Sequence, residues 1–199
     1  MELAIIYHSI WGHMRTLAES FKEGAESVEG VNVSLYLAPE TLPKRVLKKM
    51  HAVDQPDYPV ATSDTLGEAD AICFGISTRF GMVSAQMKSL MDSCGGLWSK
   101  GSLLGKPATI IFGTGTQSGG QETTALTTLP FLVHQGMIYV PMGSAFGKEF
   151  FDMDEIRGGS AYGAGYYSGS NGSRPVSDLE KRIAFHHGKH FASISLKFK

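Results

Sequence analysis

Five short apolar runs punctuate the chain: Leu3 to Tyr7, Val33 to Leu37, Ala71 to Ile76, Ala108 to Phe112 and Met137 to Val140. Gly, Pro, Ser or Asn bounds most of them, which predicts β-strands. The first, third and fourth are continuous rather than alternating, the pattern of strands covered on both faces of a parallel sheet. Between the first two, Met14, Leu17, Ala18, Phe21, Ala25 and Val28 recur at helical spacing, with Arg15, Glu19, Lys22 and Glu26 between them, so an amphipathic helix follows. Val83, Met87, Leu90 and Met91 mark a helix after the third strand. Ala125, Leu126, Leu129, Leu132 and Val133 mark one after the fourth, where Pro130 is placed to bend it. The last helix opens on the capping box Ser177-x-x-Glu180 and puts Leu179, Ile183, Phe191 and Ile194 on one side. Strand and helix alternate, which predicts an α/β fold with an open five-stranded parallel sheet and helices on both faces.

Two stretches interrupt the alternation. Pro39 to Leu66 carries four prolines around the basic run Lys44 to Lys49, and Gly158 to Pro175 holds six glycines with Tyr162, Tyr166 and Tyr167. Both read as surface loops, within irregular insertions at about 39–66 and 143–176 of a single domain spanning residues 1–199. That length suits one domain with a real core. With 18 Lys and Arg against 19 Asp and Glu the net charge is −1, which supplies no footprint for nucleic acid or anionic lipid. Two cysteines, Cys73 and Cys94, are too few for a disulfide framework. No apolar stretch approaches the roughly 18 residues a bilayer span needs, and Glu2 removes the basic region of a secretory signal. A cytoplasmic protein without membrane insertion is expected.

In an open parallel sheet, ligands bind beyond the carboxyl ends of the strands. After the first strand come Ser9, Ile10, Trp11, Gly12, His13 and Met14, which supply a hydroxyl, a glycine and the free N–H groups of a helix start, a combination suited to phosphate. After the third come Ser77, Thr78, Arg79, Phe80 and Gly81, and after the fourth Gly113, Thr114, Gly115, Thr116, Gln117, Ser118, Gly119 and Gly120. Such loops expose main-chain donors able to bond a planar ring with imide edges. In the strand order 2-1-3-4-5 these ends are neighbours. The G-x-G-x-x-G dinucleotide turn, the P-loop and the G-x-S-x-G elbow are all absent. Phosphate held by hydroxyls and backbone, with no nearby lysine or metal carboxylates, points to a bound mononucleotide, and FMN is the candidate.

The segments Ser9 to Met14, Pro39-Glu40-Thr41, Thr78 to Gly81, Gly95-Gly96-Leu97-Trp98, Gly113 to Glu122, His134-Gln135-Gly136-Met137 and Arg157-Gly158-Gly159 with Tyr162-Gly163 resemble the WrbA-type NAD(P)H:quinone oxidoreductases over essentially all of the chain. The resemblance implies a flavodoxin-like fold, noncovalent FMN, NADH or NADPH as co-substrate, two-electron ping-pong reduction of quinones at one site, and a homotetramer built as a dimer of dimers. Carried over by position, Ser9 to Met14 hold the phosphate, with Trp11 beside the nicotinamide site. Thr78, Arg79, Phe80 and Gly81 meet the isoalloxazine, and Gly113 to Gly119 meet its other edge. Trp98 lines the substrate pocket, and His134 sits close to the flavin, where it would stabilise negative charge. The chain departs from the family at Ser77, where proline is common before Thr-Arg-Phe, at Met82 and Gln135, and in a fourth-strand loop one residue longer.

Trp98 follows two glycines and is expected on a loop. His186 and His190 share a face of the last helix without a third ligand, so no metal site is expected. Cys94 lacks a cationic activator and reads as packing. The rival function is a flavodoxin-like one-electron carrier or regulatory flavin-binding module. Carriers dock through strong acidity, which a charge of −1 does not provide.

Overall fold

The computed structural model describes residues 1–144 and 146–199. In chain order its elements are β1 (Glu2–Tyr7), α1 (His13–Glu26), β2 (Asn32–Leu37), α2 (Lys44–Lys49), α3 (Ser63–Glu68), β3 (Ala71–Ser77), α4 (Ala85–Asp92), α5 (Gly95–Lys100), β4 (Pro107–Thr114), α6 (Gln121–His134), β5 (Ile138–Tyr139), β6 (Gly165–Tyr167) and α7 (Asp178–Ser195). All neighbouring strands pair in parallel, in the expected order β2-β1-β3-β4-β5. The expected count of five strands is corrected by a sixth. β5 covers only the start of β4, through Pro107↔Ile138 and Ala108↔Tyr139. The open remainder of that edge is taken by β6, with Phe112↔Gly165, Gly113↔Tyr166 and Thr114↔Tyr167. The glycine-rich stretch read as loop therefore contributes a strand at the carboxyl end of the sheet.

Continuous apolar strands produce a core on each face. Leu3, Ile5 and Tyr7 of β1 and Cys73 of β3 join Leu17, Phe21, Ile183 and Phe191 of α1 and α7. Ala4, Ile6, Ile72, Phe74, Ile110 and Phe112 pack against Leu66, Met87, Leu90 and Leu132 from α3, α4 and α6. α6 runs through Pro130 without ending. The first insertion forms α2 and α3 rather than loop alone.

Helices α1 and α7 meet at backbone distance. A Cβ on Gly24 would collide with the Phe185 carbonyl, and one on Gly188 with the Phe21 carbonyl. His187 is sealed beside this seam, edge-on to Phe21. Its Nε2–H donates to Thr109 Oγ1 at 2.9 Å, the Thr109 hydroxyl donates to the Val140 carbonyl at 2.8 Å, and Nδ1 accepts the Ala164 N–H at 3.3 Å. Burial pushes this imidazole down to about 3, so it stays neutral.

Candidate functional site

A cavity of about 320 Å³ opens at the carboxyl ends of β1, β3 and β4. Of the residues proposed from sequence, it gathers Ser9, Ile10, Trp11, His13, Thr78, Arg79, Gly113, Thr114 and Gly115. Its remaining walls are Met50 from the first insertion, Ser77, and Tyr166, Ser168, Gly169 and Ser170 from β6 and the turn after it.

The turn after β1 is shaped by two glycines. A Cβ on Gly75 would stand 2.6 Å from Tyr7 Cβ, so its absence lets Met14 settle on the sheet and draws the start of α1 close. Gly12 caps α1 in the left-handed region at φ 86, with no side-chain cap bond. The insertion then takes the carbonyls outward. Gln55 donates to the Ser9 carbonyl at 2.8 Å, the Val53 N–H to the Ile10 carbonyl at 2.9 Å, and the Trp11 indole to the Met50 carbonyl at 2.9 Å. The main-chain N–H groups of seven successive residues, Ser9 to Arg15, the last of them in the first turn of α1, have no acceptor among the described residues. Such a run of donors at a helix start is suited to an anion.

Two further loops supply donors. Arg79 and Met82 exchange N–H···O bonds of 2.9 and 3.0 Å across a tight turn, with Phe80 at φ 53 and Gly81 at φ 75. A left-handed phenylalanine is strained, and Phe80 is fully exposed beside the cavity. In the β4 loop, Thr114 Oγ1 donates to the Thr116 carbonyl at 2.9 Å, and the N–H groups of Gly115 to Ser118 have no acceptor among the described residues.

Behind these loops lie buried polar supports. Ser77 donates its hydroxyl to the His8 carbonyl at 2.8 Å. The His8 imidazole donates to Glu40 Oε2 at 3.1 Å, while Glu40 Oε1 accepts Thr41 N–H, Leu42 N–H and the Gln86 amide at 2.8 to 2.9 Å. Burial outweighs the carboxylate and lowers the pKa of His8, so the pair is a neutral imidazole on an ionised Glu40. For Glu40, burial pushes upward, but bonds from Leu42, Gln86 and His8 hold it below its ordinary value. On the other side, the fully buried Glu180 caps α7 and accepts Gly158 N–H at 2.9 Å, Tyr167 N–H at 3.1 Å, Ser177 N–H at 2.8 Å and the Arg174 guanidinium at 2.9 Å. His13 Nε2 donates to the Arg174 carbonyl at 3.0 Å, tying this wall to α1.

Other expected site residues lie elsewhere. Gly12 and Met14 shape the turn from beneath, and Phe80 and Gly81 stand outside the lining. Ser118 and Gly119 border a neighbouring cavity with Gln121 and Tyr167, while Thr116 and Gln117 line neither. Trp98 is on α5, not on a loop, because the chain after Cys94 continues into a helical turn closed by Trp98 N–H to the Cys94 carbonyl. His134 ends α6, whose 14 residues carry it about 20 Å from the cavity end of the sheet. Both lie near the start of β4: Leu97 packs by Gly67 ahead of β3, and Gly105 N–H bonds the Gly136 carbonyl. Met50, Tyr166 and Ser168 to Ser170 had no local signal in the sequence, whereas Ser77 stood within the loop read after the third strand.

Among the described residues no group of three or more His, Cys, Asp or Glu is placed to hold a metal, and no helix is long and apolar enough to cross a membrane.

A parallel sheet of this order, with a phosphate-shaped run of amides at one rim and hydroxyls and amides at two more, defines a flavodoxin-like FMN protein. The donor set suits that ligand: unspent amides for the phosphate and uncharged donors for the ring edges. Residues 1–152 match the family described as NADPH-dependent FMN reductase, and the chain belongs to that family. It is 54% identical over 195 residues to the quinone-oxidoreductase QR2 of Triphysaria versicolor, covering 98% of this chain and 95% of that protein. It is 50% identical over 193 residues to the NAD(P)H quinone oxidoreductase PST3 of Candida albicans, covering 96% of each. Its fold is similar to that of a WrbA-like flavodoxin from Agrobacterium tumefaciens, with a TM-score of 0.69 at 19% identity, covering 100% of this chain and 99% of that one.

Proposed function

We propose that this chain is an FMN-dependent NAD(P)H:quinone oxidoreductase that reduces quinones by two electrons, with NAD(P)H and quinone occupying one site in turn. The observation that carries the reading is the run of unspent N–H groups from Ser9 to Arg15, an anchor that keeps a phosphorylated flavin in place while substrates exchange beside it. The names of relatives at 54% and 50% identity support the same chemistry. Bound FMN supplies acceptance and return of a hydride. The protein's share is position and electrostatics. Amides of Ser9 to Arg15 hold the phosphate, and Thr78, Arg79 and the Gly113 to Gly119 loop meet the ring. The whole chain serves as one domain, and the free buried thiols of Cys73 and Cys94 suit a cytoplasmic setting.

Trp98 and His134 fit this scheme only across a subunit boundary. In one chain they lie at the end of the sheet away from the cavity, so they reach a flavin only from a neighbouring copy. Trp98 is 61% exposed and Val133 72%, and Leu126 and Phe80 add apolar surface that such a neighbour would cover. A homotetramer built from dimers places these groups at shared sites, with Trp98 as a flat wall for the quinone and His134 offsetting the negative charge of the reduced cofactor.

The test is to titrate the purified protein with FMN and measure benzoquinone-dependent oxidation of NADH and NADPH. Tight binding, turnover and parallel double-reciprocal lines are expected. No FMN binding overturns the reading, and binding without quinone turnover favours the one-electron carrier. At an FMN concentration too low to fill the Gly12→Ala site, mixed assemblies of a Gly12→Ala chain with a Trp98→Ala/His134→Ala chain are expected to exceed the activity of either chain alone. Assemblies that do not would rule out shared sites.

A further inference from the structure

Tyr166 lies inside the cavity, 6% exposed, between the phosphate turn and the ends of β3 and β4. Register puts it there. β3 pairs Ser77 with Gly113 and β6 pairs Gly113 with Tyr166, so the three residues form one row across the end of the sheet. The Tyr166 ring covers Gly113 so closely that a Cβ there would be driven into it. The volume that a side chain at 113 would fill belongs to the phenol. On its other side the ring stacks on His13, with centroids 5.6 Å apart and planes 15° apart. Ser77, beside the phenol, spends its own hydroxyl proton on the His8 carbonyl, which leaves the phenolic proton as the donor of this row. Burial pushes the phenol up to about 12, so it remains a neutral O–H throughout the neutral range.

We infer that Tyr166 is a direct contact of the bound flavin nucleotide, its ring packing against the ligand between the phosphate turn and the β4 loop and its hydroxyl donating a hydrogen bond. The inference rests on FMN occupying this cavity. A ring already held between His13 and Gly113 has little freedom left to lose on binding, so the contact is preorganised. Gly113 is the matched half of the device, since its missing side chain is what lets the ring lie flat at the end of the sheet.

The experiment uses the full chain freed of cofactor and labelled with ring-¹³C tyrosine. The Tyr166 resonance is identified by its loss in Tyr166→Phe, and FMN is then titrated into wild type, Tyr166→Phe and Tyr166→Ala. The Tyr166 signal is expected to shift on saturation. Tyr166→Phe should bind FMN roughly 2- to 12-fold more weakly, the size of one net hydrogen bond, and Tyr166→Ala more weakly still. Gly113→Ala, which pushes the ring off its seat, should also weaken FMN, and Gly113→Ala/Tyr166→Ala should bind little more weakly than Tyr166→Ala alone, since both substitutions remove the same contact. Failure of wild type to bind FMN sinks the cofactor reading itself. Wild-type binding with an unmoved Tyr166 resonance and unchanged affinity in both tyrosine variants overturns only the role of Tyr166.

Discussion

The α1–α7 seam and the carboxyl rim of the sheet use glycine to opposite ends. In the seam, Gly24 and Gly188 remove side chains so that two helices touch backbone to backbone, and His187 has both ring nitrogens paired. At the rim, Gly12 turns the chain where the amides of Ser9 to Arg15 have no acceptor among the described residues, and the Gly115 to Ser118 amides of the β4 loop have none among them either. One region is finished by folding, and the other is finished only by a ligand. Substitutions should therefore separate into those that cost stability and those that cost cofactor.

The largest effect belongs to the seam. Gly188→Ala and Gly24→Ala each force a methyl into a carbonyl and should cost about 3 kcal/mol in urea unfolding, with FMN affinity of the folded protein unchanged. An FMN defect at wild-type stability would break the division.

Acid should attack the same region next. The folded pKa of His187, about 3, is below its ordinary 6.5, so the unfolded chain takes up a proton that the fold refuses. Stability is full above pH 6.5 and falls as pH drops toward 3, at up to about 1.4 kcal/mol per pH unit, or about 2 kcal/mol by pH 5. Urea midpoints at pH 7 and 5 measure this, and His187→Gln should flatten the slope. At the rim, Gly12→Ala has room for its methyl but must hold a left-handed conformation at about 1 to 2 kcal/mol. Isothermal titration should find FMN bound about tenfold more weakly, and the cofactor-free melting temperature should fall by only a few degrees, less than in the seam variants. The smallest effect is at neither region: Lys88→Ala, which breaks an exposed i,i+4 pair with Asp92, should move stability by less than about 0.5 kcal/mol and leave FMN binding alone.

Strands β1, β3 and β4 were legible because burial on both faces writes an uninterrupted apolar run, and α1 because its one wet face writes a period. Strand β5 was read too long, since Met137 to Val140 is apolar throughout but only Ile138 and Tyr139 pair. Strand β6 left no local mark. Gly165, Tyr166 and Tyr167 are held by partners more than fifty residues earlier, and that pairing also builds the wall from Tyr166 to Ser170. α5 was read as loop because glycines open it and Trp98 faces outward, although backbone bonds close its turn. Within the site, the turn after β1 could be read as cavity lining because a helix start at the carboxyl end of a strand announces itself. Its outer brace of Met50, Val53 and Gln55 could not, because it depends on how an insertion folds back.

The carboxylate of Glu180 belongs at once to the first turn of the last helix and to the backbone around Gly158, Tyr167 and Ser177. Fraying of that turn would release three points along the flank of the cavity together, so the grip on the yellow cofactor and the docking of the C-terminal eighteen-residue helix rise and fall as one. Loss of colour on trimming the tail would then report a loosened support far along the chain, even with the amides of Ser9 to Arg15 still in their places.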